Sequence, residues 1–187
     1  VRVYQYASST WSQLGSDIDG EAAGDYSGCS VFLSGDGTTV AIGSTHNDNA
    51  NTDAGHVRVY QYASSTWSQL GSDIDGEATW DGSGFAVSLS DDGTIVAIGA
   101  KDNDGGGTNS GHVRVYQYAS STWSQLGSDI DGLSNWESAG FSVALSDDGT
   151  IVAVGATDSD GGGVNSGGVR VYQYASSTWS PLGNDID

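Results

Sequence analysis

The string VRVYQYASSTW begins at Val1, Val57, Val113 and Val169, so the chain returns to the same text every 56 residues. Residues 1–19, 57–75 and 113–131 are identical, VRVYQYASSTWSQLGSDID, and 169–187 differs only at Pro181 and Asn184. Such a chain folds as one supersecondary unit used several times. A single unit cannot bury its apolar face alone, so its neighbours must cover it. Identity over 19 residues exceeds what packing demands, because cores accept swaps of similar volume. It points to recent duplication, or to a piece of a long homogeneous array. The text opens inside a strand-like run, Val1-Arg2-Val3-Tyr4. The expectation is a mature product or a fragment of something longer.

The unit reads as β throughout. Short runs of Val, Ile, Tyr, Phe and Thr are bounded by Gly, Asp, Asn and Ser, and no window carries the helical i, i+3, i+4, i+7 spacing. In the second unit, four strands are expected. The first is 84–89, followed by the turn Ser90-Asp91-Asp92-Gly93, and Asp-Gly between β runs is a hairpin signal. The second is 94–100. The third, 112–118, follows a polar loop, and a fourth runs from Thr122 to about Ile130 after the turn Ala119-Ser120-Ser121. Four antiparallel strands per repeat make a propeller-type blade. Small residues in the first two strands (Ala86, Ser88, Ala97, Gly99) suit a crowded axis, and the bulky Tyr and Trp of the last two suit the wider rim.

The fold class expected is therefore all-β, with β-propeller-type blades and about three and a half of them. Residues 1–19 supply the outer half of a preceding blade; 20–75, 76–131 and 132–187 are blades 1, 2 and 3. Three and a half blades do not close a ring, since propellers use about 4–8. Two chains complete a ring, or the full protein has more repeats, or the blades form an open array.

Composition narrows the functions. Five basic residues against 24 acidic ones give a net charge of -19. That excludes nucleic-acid binding by phosphate neutralisation and argues against docking on anionic lipid. No apolar run of about 18 residues exists, so membrane insertion by a helix is not expected. One Cys excludes an internal disulfide framework. No N-x-[ST] sequon is present.

At GFAVSLSDDGTIVAIGA (84–100) and GFSVALSDDGTIVAVGA (140–156) the sequence resembles the FG-GAP repeat, which builds the propeller head of integrin α chains. In 28–44 the frame reads GCSVFLSGDGTTVAIGS, with Cys29 at the position of Phe85 and Phe141. The resemblance implies a non-enzymatic extracellular or cell-surface module used in adhesion. It also implies calcium, held between the first two strands by a D-x-D-x-D-G-x-x-D loop. Here that loop is only Ser-Asp-Asp-Gly or Ser-Gly-Asp-Gly, while calcium takes 6–8 oxygens.

Calcium is then the cofactor to look for in the second loop, where Asp48, Asp53, Asp102, Asp104, Asn109, Asp158, Asp160 and Asn165 are candidate ligands. An Asp-x-Asp step followed by glycines lets carboxylates and carbonyls converge on a hard cation. The alternative is a solvated loop in which the same residues make turns. Arg2, Arg58, Arg114 and Arg170 recur once per repeat on a strand. A buried Arg must be paired, so an Asp of the same or the next blade should meet it. The periodic Trp11, Trp67, Trp123 and Trp179 should pack between blades or on the outer strand. Trp80 and Trp136 fall outside the near-identical segment and are candidates for a contact surface. Cys29 reads as a small buried apolar residue. His56 and His112 precede a strand, and their position is Gly168 in the third unit, so no chemistry common to all units depends on it. No Ser-His-Asp or Cys-His pattern is recognisable.

The expectation is a structural or adhesion protein that self-associates, or meets further copies of the repeat, through blade contacts. The rival is a binding propeller that holds a protein, glycan or calcium ligand in its variable loops.

Overall fold

The computed structural model describes residues 1–187 and contains strands and turns but no helix. A two-stranded ribbon, β1 (Tyr4–Ala7) and β2 (Thr10–Gln13), comes first. The first full sheet is β3 (Ser30–Leu33), β4 (Thr39–Ser44), β5 (His56–Ala63) and β6 (Thr66–Gln69), with the short β7 (Ile74–Asp75) also on β5. The second is β8 (Ala86–Leu89), β9 (Ile95–Ala100), β10 (His112–Ala119) and β11 (Thr122–Gln125), with β12 (Ile130–Asp131) on β10. The third is β13 (Ala139–Leu145), β14 (Ile151–Ala156), β15 (Gly168–Ala175) and β16 (Thr178–Pro181). Within each sheet the four main strands lie in chain order and pair antiparallel.

The fourth strand is shorter than its sequence suggests. It stops at Gln125 and resumes as β12. Between them Gly127 takes φ 71°, a left-handed value that an edge strand cannot carry. Each β-hairpin closing a repeat turns through two serines with positive φ, Ser120 at 52° and Ser121 at 64°. Two consecutive positive φ values match the right-handed twist of the flanking strands. Across the turn Tyr118 stands opposite Trp123, with ring centroids 5.1 Å apart.

The second strands are the most buried parts of the molecule: every residue of β4 is buried, as a strand covered on both faces requires. Successive sheets meet along their first two strands, β8 against β3 and β4, and β13 against β8 and β9. The approach is close enough to need glycine. A Cβ on Gly43 would stand 2.1 Å from the Gly84 carbonyl oxygen, and one on Gly99 the same distance from that of Gly140. At one rim the acidic turns are joined main chain to main chain. The Gly35 amide donates to the Asp91 carbonyl, and the Asp91 amide to that of Asp147, at 2.9 and 2.8 Å.

On the outer edge strands the recurring tryptophans pin each repeat to the one before. The indole N–H of Trp67 donates to the Leu14 carbonyl at 2.8 Å, Trp123 to Leu70 at 2.7 Å, and Trp179 to Leu126 at 2.8 Å. The glycine after each leucine makes room: a Cβ on Gly71 would lie 3.0 Å from the Trp123 ring. Trp11, with no repeat before it, is 65% exposed, whereas Trp179 is 8% exposed.

Cys29, expected to be buried, is exposed; Phe141 at the same repeat position is 42% exposed and Phe85 half-buried, so the position is fully buried in no unit. The first sheet has no inner strands against the free face of β3, which shows Val31, Phe32 and Leu33 to solvent. Val87, Ser88 and Leu89, one period on, are buried.

Replacing Trp123, whose ring is half-buried against the core, by Ala should lower stability by about 2–3 kcal/mol, less than the loss for a fully buried aromatic. Trp123→Phe, which mainly removes the indole donor, should cost about 1 kcal/mol. Trp11→Ala should leave the denaturant midpoint of the dilute protein unchanged. Equal losses at positions 11 and 123 would show that the indole–carbonyl pin is not what these residues contribute.

Candidate functional site

The chemistry of the chain gathers at the seams between sheets, around the connector that opens each unit. Connector 76–83 has two allegiances. Its backbone belongs to the preceding sheet: the amides of Gly76, Trp80 and Ser83 donate to the carbonyls of Gly55, Thr52 and Ala54 at 2.8, 3.0 and 2.8 Å. Its side chains belong to the following sheet. Asp81 accepts from the Asn103 amide at 2.9 Å and caps the Ala78 N–H at 3.0 Å, while Glu77 pairs with Arg114.

Every arginine meets an anion here. Arg2 pairs with Asp17 at 2.8 Å, on the surface. Arg114, largely buried, donates through Nε and Nη2 to both oxygens of Asp129 at 3.0 Å. Arg170 bonds Asp185 at 2.8 Å and also Glu137. Arg58 differs: it donates to the Asp19 carbonyl at 2.8 Å and lies 3.8 Å from Glu21. The break between β11 and β12 is what lets Asp129 fold back onto β10, where Gln125 also donates to it at 2.6 Å. Burial pushes the Asp129 carboxyl up, but the hydrogen bonds from Arg114 and Gln125 outweigh that and hold it below its ordinary range.

The third unit changes this cluster as a set. Glu77 becomes Leu133, Asp81 becomes Glu137, Asn103 becomes Ser159 and His112 becomes Gly168. Glu137, one methylene longer than Asp, does both jobs at once: it caps the Leu133 and Ser134 amides and reaches Arg170. Glu137 is 1% exposed and fully partnered, as a buried carboxylate must be.

The loop residues proposed as calcium ligands are placed differently. Oδ1 of Asp48, Asp104 and Asp160 each accept the backbone N–H five residues on, at Asp53, Asn109 and Asn165, at 2.7 Å. Those three partners take φ of 48°, 47° and 50°, a region Asn and Asp tolerate best. Two of their carbonyls then receive the next connector, Asp53 from Gly82 and Asn109 from Ser138. Asp102 is held by Lys101 at 2.6 Å, and Asp158 by the Thr157 hydroxyl at 3.0 Å. The structure brings no three of these loop carboxylates within 4.8 Å of one another. Trp80 and Trp136 are 63% and 62% exposed, at φ of 72° and 64°. Trp80 lines a cleft of about 160 Å³ between the first two sheets, with His46, Asp53, Phe85, Lys101 and Asp102.

Sequence reasoning missed one grouping. Glu21, His56 and Asp73 converge, as do Glu77, His112 and Asp129. Glu and His recur one period apart and vanish together in the third unit, as Leu133 and Gly168, and that paired loss was the available signal. Burial lowers both imidazole pKa values, against the partial pull of nearby carboxylates.

For His112 the consequence for stability has a definite sign. A folded pKa below the unfolded one leaves the full contribution in place above about 6.5 and removes it as acid protonates the unfolded chain first. His112→Gly, the residue at the matching position 168, should therefore flatten the loss of stability from pH about 6.5 down towards the carboxylate range. An unchanged acid limb, followed by urea unfolding at several pH values, would contradict this. Below about 3.8 both proteins should lose the Asp129 contribution, because its depressed pKa stabilises only above that range.

No protein-family model matches the chain, and no curated protein does. Solved structures match its fold. A candidate 6-phosphogluconolactonase of Bacteroides fragilis superposes with a TM-score of 0.55 at 14% identity, over 84% of this chain and 38% of that one. Sqt1 of Saccharomyces cerevisiae superposes with a TM-score of 0.53 at 15% identity, over 84% of this chain and 35% of that one. The chain thus spans well under half the length of either. At such identities the likeness carries architecture alone: this is an all-β chain of antiparallel four-stranded sheets, β-propeller-like in fold.

Proposed function

We propose that the chain is a stretch of a non-enzymatic structural repeat protein of the FG-GAP type, used in adhesion outside the cell or at its surface. Its working parts are its blade faces. One observation carries this reading: identical repeat positions are buried in the sheet flanked on both sides and exposed where one flanking sheet is missing. Val31 and Leu33 are 52% and 44% exposed, whereas Val87 and Leu89 are 7% and 3% exposed. Val31, Phe32 and Leu33, together with Val1, Val3 and Tyr4 of the half blade, line a mostly apolar groove of about 220 Å³. Exposed apolar surface of this kind marks an interaction site.

The two ends of the chain are complementary in kind. At one end Trp11 carries an indole donor with no acceptor. At the other, Leu182 and Gly183 occupy the positions that receive the tryptophan pin elsewhere, and nothing lies within 4 Å of a Cβ built on Gly183. A further repeat, in the same polypeptide or in a second copy, fits both ends with contacts the molecule already uses. Such a head-to-tail contact is heterologous and continues as a ring or a filament. A surface charge of -19 keeps such an assembly soluble.

A second reading rests on the Trp80 cleft. An exposed indole beside Asp53, Lys101 and Asp102 offers a stacking face and hydroxyl partners, as a sugar ligand requires. A glycan that binds the parent chain and not Trp80→Ala would favour it.

Sedimentation velocity tests the main reading. The chain should associate as its concentration rises, and Trp11→Ala combined with Phe32→Ser should keep it monomeric without unfolding it. A parent chain that stays monomeric at every concentration would overturn the assembly reading.

A further inference from the structure

The imidazole of His56 is 1% exposed, and neither of its ring nitrogens has a hydrogen-bond partner. A buried polar group left in this state costs about 1–3 kcal/mol unless something satisfies it. Two carboxylate oxygens face its Nδ1: Asp73 Oδ2 at 3.7 Å and Glu21 Oε2 at 3.9 Å. These separations are too long for hydrogen bonds. They are close to the roughly 3.3–3.4 Å between donor atoms around a tetrahedral ion with bonds of about 2.0–2.1 Å.

We propose that Glu21, His56 and Asp73 form a binding site for one divalent transition cation of the Zn²⁺ class, at the seam that enters the first sheet. The three donors come from three separate segments: the connector before β3, the start of β5, and the turn between β6 and β7. One imidazole nitrogen with two carboxylates is a donor set for a borderline cation, and it leaves a fourth position for water. Each carboxylate is steadied by an amide: Gln69 donates to Asp73 Oδ1 at 2.6 Å, and Asn49 to Glu21 Oε2 at 2.6 Å. Such outer partners hold ligands in orientation. Glu21 is partly exposed, so an ion can reach the site from solvent.

The second copy shows why the first is open. At Glu77, His112 and Asp129, the Arg114 guanidinium bridges both carboxylates and already serves as their cation. In the first copy Arg58 turns instead to the Asp19 carbonyl and stands 3.8 Å from Glu21. Asp75, paired opposite His56 across β5 and β7, adds a further negative charge. The third unit has neither the Glu nor the His. One cation per chain follows, not three. This inference is independent of the assembly reading.

Calorimetric titration of the whole 187-residue chain with ZnCl₂, in a buffer holding excess Ca²⁺ to occupy scattered surface carboxylates, tests it. The expected result is one equivalent, weakened at least tenfold by Glu21→Gln and by His56→Gly and unchanged by His112→Gly. With Co²⁺ as probe, the visible band of a nitrogen-bearing tetrahedral site should appear in the parent and vanish in His56→Gly. Gly168 shows that the fold accepts glycine at that repeat position, and Glu21→Gln, at a partly exposed side chain, keeps the test usable if His56→Gly fails to fold. No Zn²⁺ heat in the presence of Ca²⁺, or a Glu21→Gln protein that binds like the parent, would overturn the proposal.

Discussion

Each repeat ends its outer hairpin with a leucine, and the main-chain carbonyls of Leu14, Leu70 and Leu126 are claimed by the next repeat's tryptophan. This indole–carbonyl bond needs a backbone acceptor at one fixed height and a left-handed glycine beside it to admit the ring. Both lie inside the near-identical segment, so the donor on one unit and the acceptor on its neighbour are written by the same 19 residues. The rest of the molecule follows from that register. At the inner strands the same neighbours approach until the Gly43 and Gly84 backbones touch and only glycine fits. Stability in such a chain is chiefly a sum over neighbouring interfaces, and the contrast between β3 and β8 is the direct expression of that sum.

The connectors carry the second level of organisation. A segment bonded by its backbone to one sheet and by its side chains to the next makes the seam a shared element rather than a contact between finished parts. Its polar groups are buried there and so must be matched. The third unit keeps the match after changing four residues, because the longer Glu137 replaces the work of both Glu77 and Asp81. The first two units keep a histidine at the seam and leave it short of partners, most plainly at His56.

Much of the fold was legible because its signals are local: alternating strands, Asp-Gly turns, and a period that forces stacking. The seams were not, because the leucine–tryptophan bond joins residues 53 apart through a main-chain atom that no residue type announces. The exposure of Cys29 was not legible because the Phe at its position in the other units suggests a core site, whereas Phe141 is exposed and Phe85 only half-buried. The second loop was ambiguous on chemical grounds. Asp and Asn ligate calcium, cap backbone amides and tolerate positive φ equally well, and the structure uses Asp104 and Asn109 for the last two. The fourth strand looked continuous because Leu126-Gly127 does not interrupt its apolar pattern, although the glycine's positive φ interrupts its pairing. Which carboxylate each arginine meets was set by that interruption and by the connector, neither visible in composition.

If the seams carry the stability, segments of nearly the same sequence must differ in protection according to their neighbours. Hydrogen exchange read by mass spectrometry over 31–44, 87–100 and 143–156 measures this most directly. In dilute solution the middle segment should be the most protected and 31–44 the least, with protection of 31–44 rising as concentration brings further faces together. Uniform protection across the three segments, independent of concentration, would contradict the account.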